Sequence, residues 1–309
     1  FDWNGDGALD LIVGDATGQV WLFINSARKR SKPKFAPRQQ IAAGSRTQWG
    51  KGYTGVVLHD LTNDNLADLI VAHSNNLVSI HYNIGTTAEP EFATECIKVR
   101  VQDGCHGRID MADWDGDGRS DLVTGSFGGE LQWHRNLGSQ HSPKFAPAAA
   151  FHDIRIAYNA HPRIVDFDRD GQLDLLLGLN WGTVTFYRNR GSVARPELTK
   201  GQALVWADDG KALNLRKQNG DDTTPELADL NADGIVDLIS GGHNGKLFVM
   251  HGVGSKHRMH ALTKLLNNGG DNIATYLEHE PDIRAELFKL LRALQADLDA
   301  RLLDIGARE

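Results

Sequence analysis

Five times along this chain an acidic loop recurs with one pattern. In the third copy, Asp113-Trp114-Asp115-Gly116-Asp117-Gly118-Arg119-Ser120-Asp121, carboxylates stand at positions 1, 3, 5 and 9, and a glycine at position 6. The first copy holds Asp2, Asn4, Asp6, Gly7 and Asp10, and the second Asp60, Thr62, Asp64, Asn65 and Asp68. The fourth holds Asp166, Asp168, Asp170, Gly171 and Asp174, and the fifth Asp229, Asn231, Asp233, Gly234 and Asp237. Four carboxylates at such spacing repel one another strongly unless a cation lies between them. Hard cations such as Ca²⁺ take roughly six to eight oxygen ligands, and a glycine turns the backbone enough to aim alternate side chains inward. The position-7 ligand would be a backbone carbonyl, from Ala8, Leu66, Arg119, Gln172 or Ile235. The second copy departs furthest: Thr62 offers only a hydroxyl, and Asn65 replaces the glycine, although asparagine tolerates left-handed backbone better than most residues.

The starts of these loops, Asp2, Asp60, Asp113, Asp166 and Asp229, are 58, 53, 53 and 63 residues apart, so the chain is built from repeats. The flanks repeat too. Each loop runs into a short apolar stretch: 9–13, 67–71, 120–124, 173–177 and 236–240. These are too short for helices and too continuous for half-exposed strands, which predicts strands buried on both faces. A turn follows, then an alternating strand, with Val20 and Leu22, Val78 and Ile80, Leu131 and Trp133, Val184 and Phe186, Leu247 and Val249 on one face. Four of these strands end at an asparagine: Asn25, Asn83, Asn136 and Asn189. A proline-containing segment comes next (Pro33-Lys34-Phe35, Pro90-Glu91-Phe92, Pro143-Lys144-Phe145, Pro196-Glu197-Leu198) and is expected to be the outermost strand, where a missing amide is tolerated. A short apolar segment before the next loop, at 55–59, 108–112, 163–165 and 226–228, is expected to be the innermost strand of the next unit.

Four antiparallel strands per repeat, with the acidic loop between the first and second, describe a propeller blade. The repeats resemble the FG-GAP/VCBS repeats of integrin-α-type β-propellers, whose blades carry a D-x-[DN]-x-D-G-x-x-D calcium loop followed by an apolar strand. The resemblance covers residues 1–252; Phe127-Gly128-Gly129 is similar to the family's FG element, and the GAP triplet is absent. It implies several structural Ca²⁺ ions, on the face opposite the usual ligand-binding face. An EF-hand or a dockerin-like loop would need an acid at position 12, where this chain has Val13, Val71, Thr124, Leu177 and Ser240. The expected fold is thus an all-β propeller of four-stranded blades over residues 1–254, with an α-helical C-terminal extension over 255–309. Repeat one lacks an inner strand and repeat five an outer segment, so an incomplete ring is expected, seven blades being the size considered, with sequence missing upstream of Phe1. In the extension, Ile283, Leu287, Leu290, Leu291, Leu294, Leu298, Leu302 and Ile305 form one apolar stripe, a helix that packs on the propeller or serves self-association.

Composition narrows the setting. With 40% hydrophobic and 24% charged residues, the 309-residue chain can bury a core, and its 33 glycines suit many tight turns. A net charge of −7 argues against a nucleic-acid partner, and no apolar run is long enough to cross a membrane. Cys96 and Cys105, the two cysteines, are either unrelated thiols or a disulfide suited to an oxidising compartment.

Function is expected on the face away from the acidic loops. The segments leading into the inner strands carry Trp49, Tyr53, His106, Arg108, Tyr158, His161 and Arg163, and the turns after the second strands carry His73, Trp181 and His243. Aromatic rings beside Arg, His and amide groups suit a sugar, with an apolar face to stack on and directional hydrogen bonds around it. The expectation is an extracellular, periplasmic or cell-surface propeller binding a carbohydrate or protein ligand, as in cell adhesion, with Trp49, His73, Trp181 and His243 as ligand-facing residues. The alternative is a polysaccharide lyase or related carbohydrate-active enzyme, with His106 or His161 as base, Tyr53 or Tyr158 as acid, and Arg108 or Arg163 neutralising a uronate.

Overall fold

The computed structural model describes residues 1–27, 31–42, 52–101, 105, 107–151, 154, 156, 158–167, 170–205, 212–220, 222–242 and 245–252. The chain divides into two compact units, Phe1–Trp206 with Gly210–Gly252, and Ala207–Asp209 with Val253–Glu309. The second unit, and with it the expected extension and its helix at 281–305, lies outside the described residues.

The first unit is an all-β propeller with five antiparallel blades. Blade one holds β1 (Leu11–Gly14), β2 (Val20–Phe23) and β3 (Gln39–Gln40). Blade two holds β4 (Gly55–His59), β5 (Asp68–His73), β6 (Leu77–His81) and β7 (Ile97–Arg100). Blade three holds β8 (Ile109–Ala112), β9 (Asp121–Gly125), β10 (Leu131–His134) and β11 (Ala149–Ala150). Blade four holds β12 (His161–Val165), β13 (Asp174–Gly178), β14 (Val184–Tyr187) and β15 (Gln202–Ala203). Blade five holds β16 (Thr224–Ala228), β17 (Asp237–Gly241) and β18 (Leu247–Met250). Blades two to four are four-stranded, and blades one and five three-stranded. A short helix, α1 (Arg216–Asn219), and a 3₁₀ turn at Asn180–Gly182 are the helical elements among the described residues.

The second strands are buried on both faces, as their continuous apolar runs require: every residue of β5, β9 and β13 is buried. β1 is only half-buried, in the blade whose sheet has no inner strand beside it. The outermost strand departs from expectation. Phe35, Phe92, Phe145 and Leu198 each make one isolated bridge, to Asn25, Asn83, Asn136 and Asn189. The fourth strand proper follows a few residues later, at β3, β7, β11 and β15. The reason is local. Each asparagine side chain captures the backbone N–H groups around the proline, as Asn136 Oδ1 does with Gly138 at 3.0 Å and Lys144 at 3.1 Å, so the segment turns instead of pairing.

The core lies between blades. Four apolar clusters among the described residues each join two consecutive blades; Leu122 and Met111 of blade three pack with Ile70 and Ile80 of blade two, and Val123 and Leu131 with Leu175 and Leu177 of blade four. Close approach of the backbones sets one residue type. A Cβ on Gly125 would lie 1.8 Å from the Ala160 carbonyl oxygen, so the end of β9 can touch blade four only as glycine.

This strand order puts the five acidic loops at one end of the blades, four of them between an inner strand and the second strand and the first directly ahead of β1. The opposite end carries the turns after the second strands and the segments running into the inner strands.

Candidate functional site

Within each acidic loop the carboxylates first organise their own backbone. Asp113 Oδ1 accepts the Asp117 N–H at 3.0 Å, and its Oδ2 accepts the Gly118 N–H at 2.9 Å. Asp2, Asp60, Asp166 and Asp229 do the same in their loops. The position-5 aspartates Asp6, Asp64, Asp117, Asp170 and Asp233 accept the N–H of position 7, whose carbonyl was expected to face a cation. Position 6 is left-handed throughout, including Asn65 at φ 67°, so the glycine substitution in repeat two is accommodated.

Position 9 has a second occupation that the spacing did not reveal. Asp10, Asp68, Asp121, Asp174 and Asp237 are buried at the starts of the second strands. Their Oδ1 atoms accept the backbone N–H of Asn25, Asn83, Asn136, Asn189 and Gly252 at 2.7–2.9 Å, and so bind the loop to the end of the third strand. The Oδ2 atoms take Trp3, Leu61, Phe167 and Leu230 N–H groups in four blades, and the Trp133 Nε1–H in blade three. Burial pushes Asp68 and Asp121 up to about 6 against these bonds, which hold them down.

The third loop brings a carboxylate oxygen from each of Asp113, Asp115 and Asp117 within 4.8 Å of one another, an acidic triad that could hold a metal ion. Asp115 Oδ1 is buried and makes no hydrogen bond of normal geometry, the nearby Asp117 N–H being bonded to Asp113. Thr62 Oγ1, at the same position of loop two, is likewise buried without a partner. Oxygens left over at position 3 fit a hard cation, which needs acceptors only. Three cationic contacts offset the acidity meanwhile. Arg135 Nε stands 2.5 Å from Asp115 Oδ2 and its Nη2 3.1 Å from Asp117 Oδ2, while Arg119 Nη2 is 2.6 Å from the same Asp117 oxygen. Burial and the Asp117 charge raise the Asp115 carboxyl above its ordinary range; in Asp117 the Arg119 bonds outweigh burial and lower it. In blade four Arg188 holds the matching place, 3.3 Å from Asp170 Oδ2. These arginines belong to the two loops with an aspartate at position 3. Asp168 lies outside the described residues.

At the other end of the blades, four large aromatic side chains stand out. Tyr53 is 52% exposed, Phe127 54%, Tyr158 52% and Trp181 49%. Phe127 and Tyr158 lie with ring centroids 6.1 Å apart. Trp181 sits at φ 69° in the 3₁₀ turn, with the Arg216 guanidinium carbon 4.4 Å from its ring centroid. Left-handed backbone is strained for a bulky side chain, on the order of 1–3 kcal/mol, and such strain concentrates at functional positions.

Between these rings the starts of the inner strands hold polar groups in a chain. Arg108 Nε donates to His161 Nε2 at 3.2 Å and its Nη2 to Asn159 Oδ1 at 2.7 Å, and Asn159 Nδ2 donates to Asp222. Burial and the two neighbouring guanidinium charges, Arg108 and Arg163, keep His161 neutral by moving its pKa well down. Two residues deeper, Arg163 joins Asp110 Oδ1 at 2.8 Å and Glu226 Oε2 at 2.5 Å, which links the inner strands of three blades. His73 is turned into blade two, 5% exposed, with Nε2 2.9 Å from Ser79 Oγ. Trp49, His106 and His243 lie outside the described residues. Cys96 and Cys105 are free thiols, and burial pushes the Cys105 group up to about 11. Phe127 escaped sequence reasoning as a surface residue; its place in a glycine turn after a buried strand was the available signal.

Residues 2–88 and 113–177 match the model of the FG-GAP-like repeat. No curated protein matches the chain. Among solved structures, an Agrocybe aegerita lectin, described for specific recognition of non-reducing terminal N-acetylglucosamine, is 20% identical with a TM-score of 0.41; the match covers 80% of this chain and 61% of that one. The Photorhabdus luminescens Tc holotoxin pore is 15% identical with a TM-score of 0.34, over 75% of this chain and 13% of that one. The chain therefore spans less than two thirds of either structure's length. No helix among the described residues is long and apolar enough to cross a membrane. Two stretches of the chain thus match the FG-GAP-like repeat, set in a β-propeller of five blades of one design.

Proposed function

We propose that this propeller is a calcium-stabilised binding module that takes a carbohydrate or protein ligand on the face opposite its acidic loops, in an extracellular, periplasmic or cell-surface setting. The observation that carries the reading is the group of exposed rings, Tyr53, Phe127, Tyr158 and Trp181, on the turns and strand-leading segments of one end of the blades. Exposed aromatic faces beside guanidinium and amide groups supply stacking and directional bonds together. Ca²⁺ in the loops at the other end would fix the backbone tracks from which these segments spring. Asp113, Asp115 and Asp117 would hold one ion, supplying charge neutralisation and no chemistry. Millimolar extracellular calcium suits loops of this kind, whose affinities in extracellular modules are on the order of 10⁻⁴–10⁻³ M.

The lyase alternative draws on Tyr53, Tyr158, Arg108 and His161 standing at one end. Against it, the Nε2 lone pair of His161 already accepts from Arg108, so that nitrogen is not free to take a proton. The test is a glycan-array screen of the whole chain with calcium and with EDTA, followed by an absorbance assay for unsaturated uronate products on any hit. Binding that is strong in calcium and weak in EDTA supports the module; product formation favours the enzyme. An array blank in calcium would remove the carbohydrate version.

A further inference from the structure

Arg108 is a cation placed where a cation is costly. It is 6% exposed, and its hydrogen bonds go to neutral acceptors: His161 Nε2 at 3.2 Å, the Cys105 carbonyl at 3.4 Å and Asn159 Oδ1 at 2.7 Å. Among the described residues no carboxylate touches it. Asp222 acts on it only through space and through Asn159, which stands between them. A buried charge lacking a contact counter-ion is poorly offset for its lost hydration. Arg163 supplies the comparison within the same molecule. It has Asp110 on one side and Glu226 on the other. Among the described residues, carboxylates thus contact one inner-strand arginine and not the other.

A ligand carboxylate could take that place. A guanidinium carries more N–H donors than three bonds use, and Arg108 keeps two that no described residue takes. Its Cζ lies 5.9 Å from the centroid of the Phe127 ring, which in turn meets Tyr158, and both rings are half-exposed. Tyr53, also exposed, lies on the segment that runs into β4, the inner strand of the neighbouring blade. A flat apolar surface beside a fork of donors matches a sugar ring bearing a carboxylate, since arginine binds planar anions through paired N–H groups.

We propose that Arg108 anchors the carboxylate of a uronate residue whose ring lies against Phe127 and Tyr158. This rests on the loop-face binding reading and narrows its ligand to an acidic sugar. Asn159 and His161 act as positioning residues that fix the guanidinium plane.

The test is calorimetric titration of the full chain with trigalacturonate, with its methyl ester, and with a neutral galactose trisaccharide. The expected result is that the acid binds about tenfold or more tightly than either neutral form, as one charge-assisted pair allows. Arg108→Gln should bring the acid to the level of the ester, and Arg108→Lys should restore part of the gap. Because a buried arginine variant can fail to fold, the acid-against-ester ratio of the unaltered protein stands as a test that needs no variant. Equal binding of acid and ester overturns the Arg108 assignment while leaving a loop-face glycan site intact. No binding of any of the three overturns it also, and with a glycan array blank in calcium the carbohydrate version of the loop-face reading falls too. A hexaglutamate peptide that competes as well as trigalacturonate overturns the sugar class.

Discussion

The backbone N–H of Asn136 donates to Asp121 Oδ1 at 2.7 Å, and the indole of Trp133 donates to Oδ2 of the same carboxylate at 2.9 Å. One aspartate thereby fixes the third strand of blade three to the start of the second, next to the acidic loop. Asp121→Ala should cost about 2–4 kcal/mol, because it leaves two donors without partners in a buried place. Asp121→Asn keeps acceptor capacity on one oxygen and should cost about half as much. Urea unfolding in EDTA checks this with any cation contribution removed; a loss under about 0.5 kcal/mol for Asp121→Ala would show that the clamp is incidental.

Arg135 and a cation in the third loop would compete for the same oxygens of Asp115 and Asp117. Arg135→Gln should therefore raise cation affinity several-fold, with the effect shrinking in high salt because the arginine is partly exposed. Terbium luminescence of the variant and the parent protein measures it. At about 1 mM calcium and a Kd of about 0.1 mM, each occupied loop should add roughly 1.4 kcal/mol of stability, so melting with and without EDTA should differ by several degrees.

Ala232, at φ 55°, holds a left-handed position in loop five where loops one and three use Gly5 and Gly116. Ala232→Gly should stabilise by about 0.5–1 kcal/mol. Conversely, a Cβ on Gly118 would meet no atom within 4 Å, yet φ is 84° there. Gly118→Ala should thus destabilise by about 1–2 kcal/mol through backbone strain alone. Thermal melts of the two variants should move in opposite directions.

Acid sensitivity should centre in part on Asp15. Burial works to raise its pKa, but hydrogen bonds from Trp21 Nε1, Gln19 N and the Thr17 N–H and hydroxyl outweigh it and hold the group down to about 2. A carboxyl depressed below its ordinary value of 3.8 contributes stability that is full above that value and is lost as pH falls through the folded value of about 2. The stability gap between the parent protein and Asp15→Ala should accordingly be constant near neutral pH and close between about pH 4 and pH 2. A gap that persists below pH 2 would assign it to packing.

Much of the fold was legible because the physics is local and repeated. The acidic loops, the buried second strands and the alternating third strands each carry their own pattern, and repetition brought them into register. What escaped notice depends on partners distant in sequence. The fourth strands are two to four residues long and carry no pattern, and the proline segments that resembled them are turned aside by Asn25, Asn83, Asn136 and Asn189. The asparagines were visible, but their role needs the aspartate fifteen residues upstream. His73 and Trp181 occupy similar turns in sequence, and only three-dimensional packing turns one inward to Ser79 and leaves the other in solvent. The pairing of Arg108 with His161 and Asn159 spans two blades and has no counterpart in residue spacing.

The exposed rings are the centre of the account, and ligand binding by Trp181→Ala and Tyr158→Ala, side by side with the parent protein, tests them most directly. Neither ring is buried, so both variants should keep the melting temperature and calcium response of the parent protein. Each should weaken binding of the glycan-array ligand by about tenfold or more, since stacking on one ring contributes on the order of 1–2 kcal/mol. Unchanged affinity in both variants would contradict it and move the binding site elsewhere on the propeller.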